Sequence, residues 1–308
     1  MKNILLNLYP AFACLLLLVQ SSCAQSKVKS VESNQAEIMS QFGSGKAEIS
    51  VYELKQNRYD GLHQGNVTCV WVTEPFLMDK QVKNESNTSK NSTTVLKNIR
   101  LKKFTTGIYD YTISTSVFTP IDRNQFPHSP KVSNTSLEWC GQTFLQLNLK
   151  GDHYESKLFS YFEQEGDKES KVEAALLEDE IFTLIRMNPE LLPQGQIELI
   201  PSLSYLRLMH VDQKGSKAMA KIKKYSGDEF KGNNLQVYEV NFLQLNRNLK
   251  IIYEAAFPHK ILGWEDRYPS VSDREMRTTV ATLSKTKMVD YWNKKGKEGE
   301  ELRIELGL

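Results

Sequence analysis

The densest run of chemically capable side chains is Ser136-Leu137-Glu138-Trp139-Cys140-Gly141-Gln142, with a carboxylate, an indole and a thiol in succession. These three could line a ligand pocket, the indole as an apolar wall and the carboxylate as an acceptor. The alternative is structural: Trp139 fills the core, Cys140 packs or pairs with Cys69, and Glu138 bonds an arginine across a sheet. Arg58-Tyr59 is a second candidate, able to hold an anionic group or to cap a core edge. Arg58, Glu138 and Trp139 are therefore the candidate ligand-binding residues. The five histidines, at 63, 128, 153, 210 and 259, show no metal-ligand spacing, and Cys69 and Cys140 are too far apart in sequence for a Cys-x-x-Cys site. No metal or other cofactor is expected. The chain lacks Gly-x-Ser-x-Gly, Gly-x-Gly-x-x-Gly, His-Glu-x-x-His and a phosphate loop. A hydrolase would have to assemble its site from Glu138, His210 or His259 and carboxylates on distant strands.

The frame that must position these groups is a 308-residue chain, 40% hydrophobic and 25% charged, in the range of soluble globular proteins. Lys and Arg total 39 against 37 Asp and Glu, a net charge of +2, which gives no electrostatic case for a nucleic-acid partner. The short basic stretches at Lys221, Lys223 and Lys224 and at Lys294, Lys295 and Lys297 lack interleaved aromatics and read as solvated faces.

Residues 1–24 read as an export signal: Lys2, an apolar run from Ile4 to Val19 too short to span a bilayer comfortably, then Ser21, Ser22, Cys23 and Ala24. Two cleavages fit. Cys23 becomes the acylated first residue of an envelope lipoprotein, with Gln20 departing from the usual lipobox, or cleavage after Ala24 frees a periplasmic or secreted protein. Either removal leaves Cys69 and Cys140, which could form a disulfide in an oxidising compartment or remain buried thiols on neighbouring strands. Residues 25–45 are a polar tether, with a short helix at 36–42, and residues 46–308 form a single β-rich domain.

Period-two alternation dominates that domain. In Gly107–Phe118 the residues Tyr109, Tyr111, Ile113 and Val117 fall on one side, and Asp110, Thr112, Ser114 and Ser116 on the other. Further strands are expected at 47–54, 67–73, 144–149, 156–162, 197–200, 203–209, 278–288 and 302–306. A hairpin is expected between 235–245 and 249–257. One main helix is expected at about 171–187, opened by a Ser170–Glu173 capping box, with Glu178, Asp179 and Glu180 facing water. The fold class is α+β, mainly antiparallel β: a large curved sheet or incomplete barrel wrapped around a helix or a cavity.

Lys103-Phe104-Thr105-Thr106-Gly107-Ile108-Tyr109-Asp110-Tyr111, Thr115-Ser116-Val117-Phe118, Glu138-Trp139-Cys140-Gly141, Gln146-Leu147-Asn148 and Ser160-Tyr161-Phe162 resemble an uncharacterised family of Bacteroidota envelope proteins and lipoproteins. Arg58-Tyr59 and Val72-Thr73-Glu74 look like part of the same pattern. The resemblance implies an envelope setting and brings no catalytic residues. Some members carry the label septum formation inhibitor Maf, a nucleotide pyrophosphatase with a Ser-x-Ser-Pro-Arg-Arg stretch and a cytosolic α/β fold. This chain departs from that class, offering only Ser129-Pro130-Lys131. The expectation is an exported, non-catalytic module that binds an apolar or amphipathic ligand such as a lipid, or a partner protein. It calls for a largely apolar cavity of several hundred cubic ångströms.

Overall fold

The computed structural model describes residues 35–86 and 89–308. The export signal, Cys23 and the first part of the tether lie outside the described residues. Helix α1 (Gln35–Phe42) precedes a meander of strands: β1 (Ala47–Arg58), β2 (Gly61–Leu77), β3 (Val82–Lys83), β4 (Ser92–Thr106), β5 (Tyr109–Pro120), β6 (Lys131–Glu138), β7 (Gly141–Lys150), β8 (His153–Ser160) and β9 (Lys168–Glu173). The chain continues through β10 (Leu176–Leu177), α2 (Glu178–Met187), β11 (Gly195–Ile200) and α3 (Leu203–Met209). A second meander follows: β12 (Ser216–Lys224), β13 (Leu235–Phe242), β14 (Arg247–Glu254), β15 (Ile261–Pro269) and β16 (Met276–Val289), closed by α4 (Glu298–Leu306).

All the strands join one sheet, in the order β10-β11-β12-β13-β14-β15-β16-β1-β2-β4-β5-β6-β7-β8-β9, with β3 hung on β2. Every pairing is antiparallel except β10 with β11. Strand β1 lies mid-sheet, between β2 and β16, and the free edges are β9 and β10. Those edges are nearly consecutive in sequence. Only Ala174 and Ala175 separate Glu173 from Leu176, and a link that short spans about 10 Å at full stretch. The sheet must therefore roll until its edges approach, yet they are not paired, so a seam remains. Curling is eased where strands touch too closely for a side chain. A Cβ at Gly65 would strike the Lys103 carbonyl oxygen, and one at Gly263 the Ala281 carbonyl oxygen. Register shifts at Val51/Tyr52 and Ile252/Tyr253 add bends.

Helix α2 runs inside the roll, against β4 and β5 on one half and β15 on the other, and all ten of its residues are buried. This corrects the expectation that Glu178, Asp179 and Glu180 face water. Ion pairing makes their burial tolerable. Arg247 holds Glu178 at 2.6 and 2.7 Å and Asp266 at 2.7 and 2.8 Å. Arg100 pairs with Asp179, and Arg123 with Glu180 at 3.4 Å. At the other end of the helix Arg186 grips Glu48 at 2.6 and 2.7 Å.

The helix is also shorter than expected. Ser170–Glu173 lies in β9, and the carboxylate that caps α2 is Glu180, which accepts from the Leu177 amide at 3.1 Å. Nor is it a lone helix. Residues 203–209 form α3, not a strand, because Leu203, Tyr205, Leu206 and Leu208 are buried around the whole helix and period-two alternation there carries no directional signal. Residues 302–306 belong to α4, whose acidic first turn and left-handed Gly307 cap suit a helix. Leu302 and Leu306 pack outside the sheet on Ile49, Val51 and Val289. The expected hairpin forms, with Phe242 opposite Arg247, so its turn is residues 243–246.

Candidate functional site

Four alternate connections lie at one end of the sheet. The registers fix this: Arg58 pairs with Gly61, Thr106 with Tyr109, Glu138 with Gly141, and Ser160 with Thr143 beside that last turn. Arg58, Tyr109, Tyr111, Glu138 and Trp139 therefore meet on one rim, although up to 81 residues apart in sequence. Trp139 is 68% exposed, 6.2 Å from the Tyr109 ring, so it does not fill the core. Ile108 and Tyr161, 83% and 79% exposed, flank it at neighbouring tips.

A string of polar contacts runs along this rim. The Tyr59 hydroxyl bonds those of Tyr109 at 2.6 Å and Tyr111 at 2.7 Å. Tyr111 is buried and stacks on Phe104 at 4.7 Å, and burial pushes its hydroxyl pKa far up, so it stays protonated. Arg58 is buried, lies over the Tyr59 ring at 4.6 Å and donates to the Leu208 carbonyl at 2.6 Å, tying β1 to α3. Glu138 stands against Tyr111 and pairs with Arg207. The arginine partner expected for Glu138 comes from a helix and not from across the sheet.

Arg207 Nη1 lies 3.1 Å from His210 Nε2 and 3.4 Å from Nδ1, over the ring, and His210 Nδ1 lies 2.7 Å from Glu165 Oε1. The Ser160 hydroxyl donates to the other oxygen of Glu165 at 2.5 Å.

This geometry bears on the chemistry available. Glu138 and His210 converge, bridged by Arg207. His259 does not join them, sitting between β14 and β15 against the Tyr253 and Phe257 rings, where burial lowers its pKa. Arg207 covers the His210 ring, and the Ser160 hydroxyl addresses Glu165 instead of the imidazole. The acid–base–nucleophile order that covalent hydrolysis needs is therefore not formed. Among the described residues no three His, Cys, Asp or Glu side chains cluster as a metal site requires.

Neither alternative for Cys69 and Cys140, a bridge or two buried thiols on neighbouring strands, is what forms. Both thiols are free, Cys69 buried in mid-β2 and Cys140 exposed at the β6–β7 turn. Cys69 is in register with Arg100, Thr115 and Asn134 on successive strands, so three strand spacings separate it from β6. At about 4.8 Å per strand that exceeds the reach of a disulfide.

Beside the rim, across the seam, opens a groove of about 440 Å³. Leu145 and Leu158 of β7 and β8 form one wall, and Leu206, Val211 and Leu245 the other. Arg207, His210, Glu165 and Lys168 make one end ionic. The lining is about as polar as it is apolar, with Asp212, Gln213 and Lys214 also on it, so the groove is not the largely apolar cavity expected but a mixed surface that suits an amphipathic molecule.

Arg58, Glu138, Trp139 and His210 stand out in the sequence, whereas Arg207 and Glu165, which connect them, do not. Arg207 and His210 stand three apart, the spacing that brings helical side chains together, and a helical reading of 203–209 would have paired them. Ser129 of the Ser129-Pro130-Lys131 stretch is buried, donating to Glu180 at 2.6 Å, a structural role. The single antiparallel sheet is also unlike the α/β fold of the Maf label. Comparison with known protein families, curated proteins and solved structures finds no match to this chain. No helix among the described residues is long and apolar enough to cross a membrane.

Proposed function

We propose that the protein is an exported, non-catalytic envelope module that holds a small amphipathic molecule in the groove at the seam of its rolled sheet. The observation that carries this is the groove itself, with leucines on both walls and Arg207, His210 and Lys168 at one end. An acyl chain would lie between Leu145 and Leu206, and a polar head would meet the ionic end. The export signal at residues 1–24, with Cys23 as the lipidation site or cleavage after Ala24, and the resemblance to Bacteroidota envelope proteins support the setting. Neither a nucleic acid nor a cofactor enters this function.

The test is displacement of dansyl-labelled lauric acid, together with mass spectrometry of protein gently isolated from its native envelope. Wild-type protein brightens the dye saturably, and a Leu158→Asp variant, charged in mid-wall, weakens it about tenfold or more. A dye that ignores both proteins, with no copurified small molecule in the spectrum, ends the proposal. The same spectrum reports an acyl group on Cys23.

A further inference from the structure

A second cavity lies deep in the roll, separated from the groove by α3. Leu206, Arg207 and His210 line the groove, while Tyr205 and Leu208 line the inner space. That space is about 60 Å³, room for a few waters or one small anion. Lys102 lines it from the interior face of β4, two residues from Arg100. The interior arginines described above are matched: Arg247 with Glu178 and Asp266, Arg100 with Asp179, Arg123 with Glu180, and Arg186 with Glu48. Lys102 has no hydrogen-bond or ion-pair partner among the described residues.

We propose that this inner cavity is a binding site for a small oxyanion, of the carboxylate or phosphate class, held by the Lys102 ammonium. Three observations converge. First, the half-buried Lys102 ammonium has no partner, and the nearby carboxylates Glu178, Asp179 and Asp266 are already engaged by arginines, so none is free to serve it. Second, the cavity wall carries three cationic groups, Arg100, Lys102 and Arg247, against two carboxylates, Glu178 and Asp266, an imbalance that one added negative charge relieves.

Third, the wall carries further open hydrogen-bonding capacity. The Tyr205 hydroxyl has no partner among the described residues and can donate to an anion. Gln56, 1% exposed, has an unsatisfied side-chain oxygen that accepts from a hydroxyl on the anion or from a water bound with it. Burial draws the Lys102 pKa down to about 8, so the ammonium is charged at pH 7, where binding is to be measured.

This inference is independent of the groove. The experiment is a thermal-shift titration of the purified full chain at pH 7 and constant ionic strength with acetate, with phosphate and with uncharged acetamide, on wild-type protein, Lys102→Met and Tyr205→Phe. The expected result is a saturable rise in Tm with acetate or phosphate, none with acetamide, a loss of the response in folded Lys102→Met, and an affinity reduced severalfold in Tyr205→Phe. Tyr205→Phe keeps the lysine, so it answers the question if Lys102→Met does not fold. The stronger of the two anions identifies the ligand class. Equal shifts in wild type and both variants, a response to acetamide, or no response in wild type overturns the proposal.

Discussion

Arg247 and His210 both sit against carboxylates, and the two settings differ in where their contacts end. Arg247 is 2% exposed and all four of its bonds to Glu178 and Asp266 stay inside the roll. The contacts of His210 run from buried Arg207 outward to Glu165, and its ring is about one-third exposed at the groove. Interior pairs that close on themselves hold α2 against both halves of the sheet. A rim ring that solvent reaches is left to meet a ligand. The lesson is that the same ionic chemistry serves shape in one region and recognition in the other, according to whether water can reach it.

Removing an interior cation should have the largest effect. Arg247→Met leaves two carboxylates buried without a partner and should cost about 3–5 kcal/mol in denaturant unfolding. His210→Ala should change stability by less than about 1 kcal/mol while weakening binding of the dansyl-labelled acid. Comparable losses of stability in the two variants would erase the distinction between the regions.

The next effect concerns the interior charge that lacks a carboxylate. The ordinary lysine value is 10.5 and burial draws Lys102 to about 8. Between those two pH values the unfolded chain binds more protons than the folded one, so stability should climb as pH rises through that window. Below pH 8 both states are protonated and the full penalty is present, on the order of 3 kcal/mol without added anion. Lys102→Met should flatten this climb and stabilise the protein at neutral pH. An unchanged slope from pH 8 to 10 would show that the ammonium is solvated already.

How much of this could be read in the chain depends on which residues carry alternation. Tyr109, Tyr111, Ile113 and Val117 lie on a strand with one buried face, and there the period-two pattern located β5 directly. In α2 and α3 burial is nearly all-round, so the hydrophobic pattern lost its phase. The acidic Glu178-Asp179-Glu180 looked solvated because its arginine partners are at positions 100, 123 and 247, brought together only by rolling of the sheet. The candidate site was half legible. Glu138 and Trp139 stood out by type, whereas Arg207 and Glu165 join them through contacts that no linear spacing records.

The smallest expected effect, in energy, separates the two thiols. Burial pushes Cys69 up to about 12, whereas Cys140 is exposed at a rim turn. Iodoacetamide at pH 8 should modify Cys140 in the native protein within minutes and Cys69 only after denaturation. Peptide mapping checks this, and prompt native labelling of Cys69 would mean that the interior opens.

The position of β1 in mid-sheet has a kinetic consequence. Its first residue, Ala47, pairs with Val289 at the far end of β16, and Lys55 with Val280. As the chain emerges from its N-terminus, β1 to β9 can zip up from local hairpins, but one flank of β1 stays bare until the last strand arrives. Completion waits for a contact between the two ends of the polypeptide, a slow, long-range step. Until then an unpaired edge is open to other chains, so a truncation within residues 276–289 should leave a sticky, aggregation-prone half-sheet.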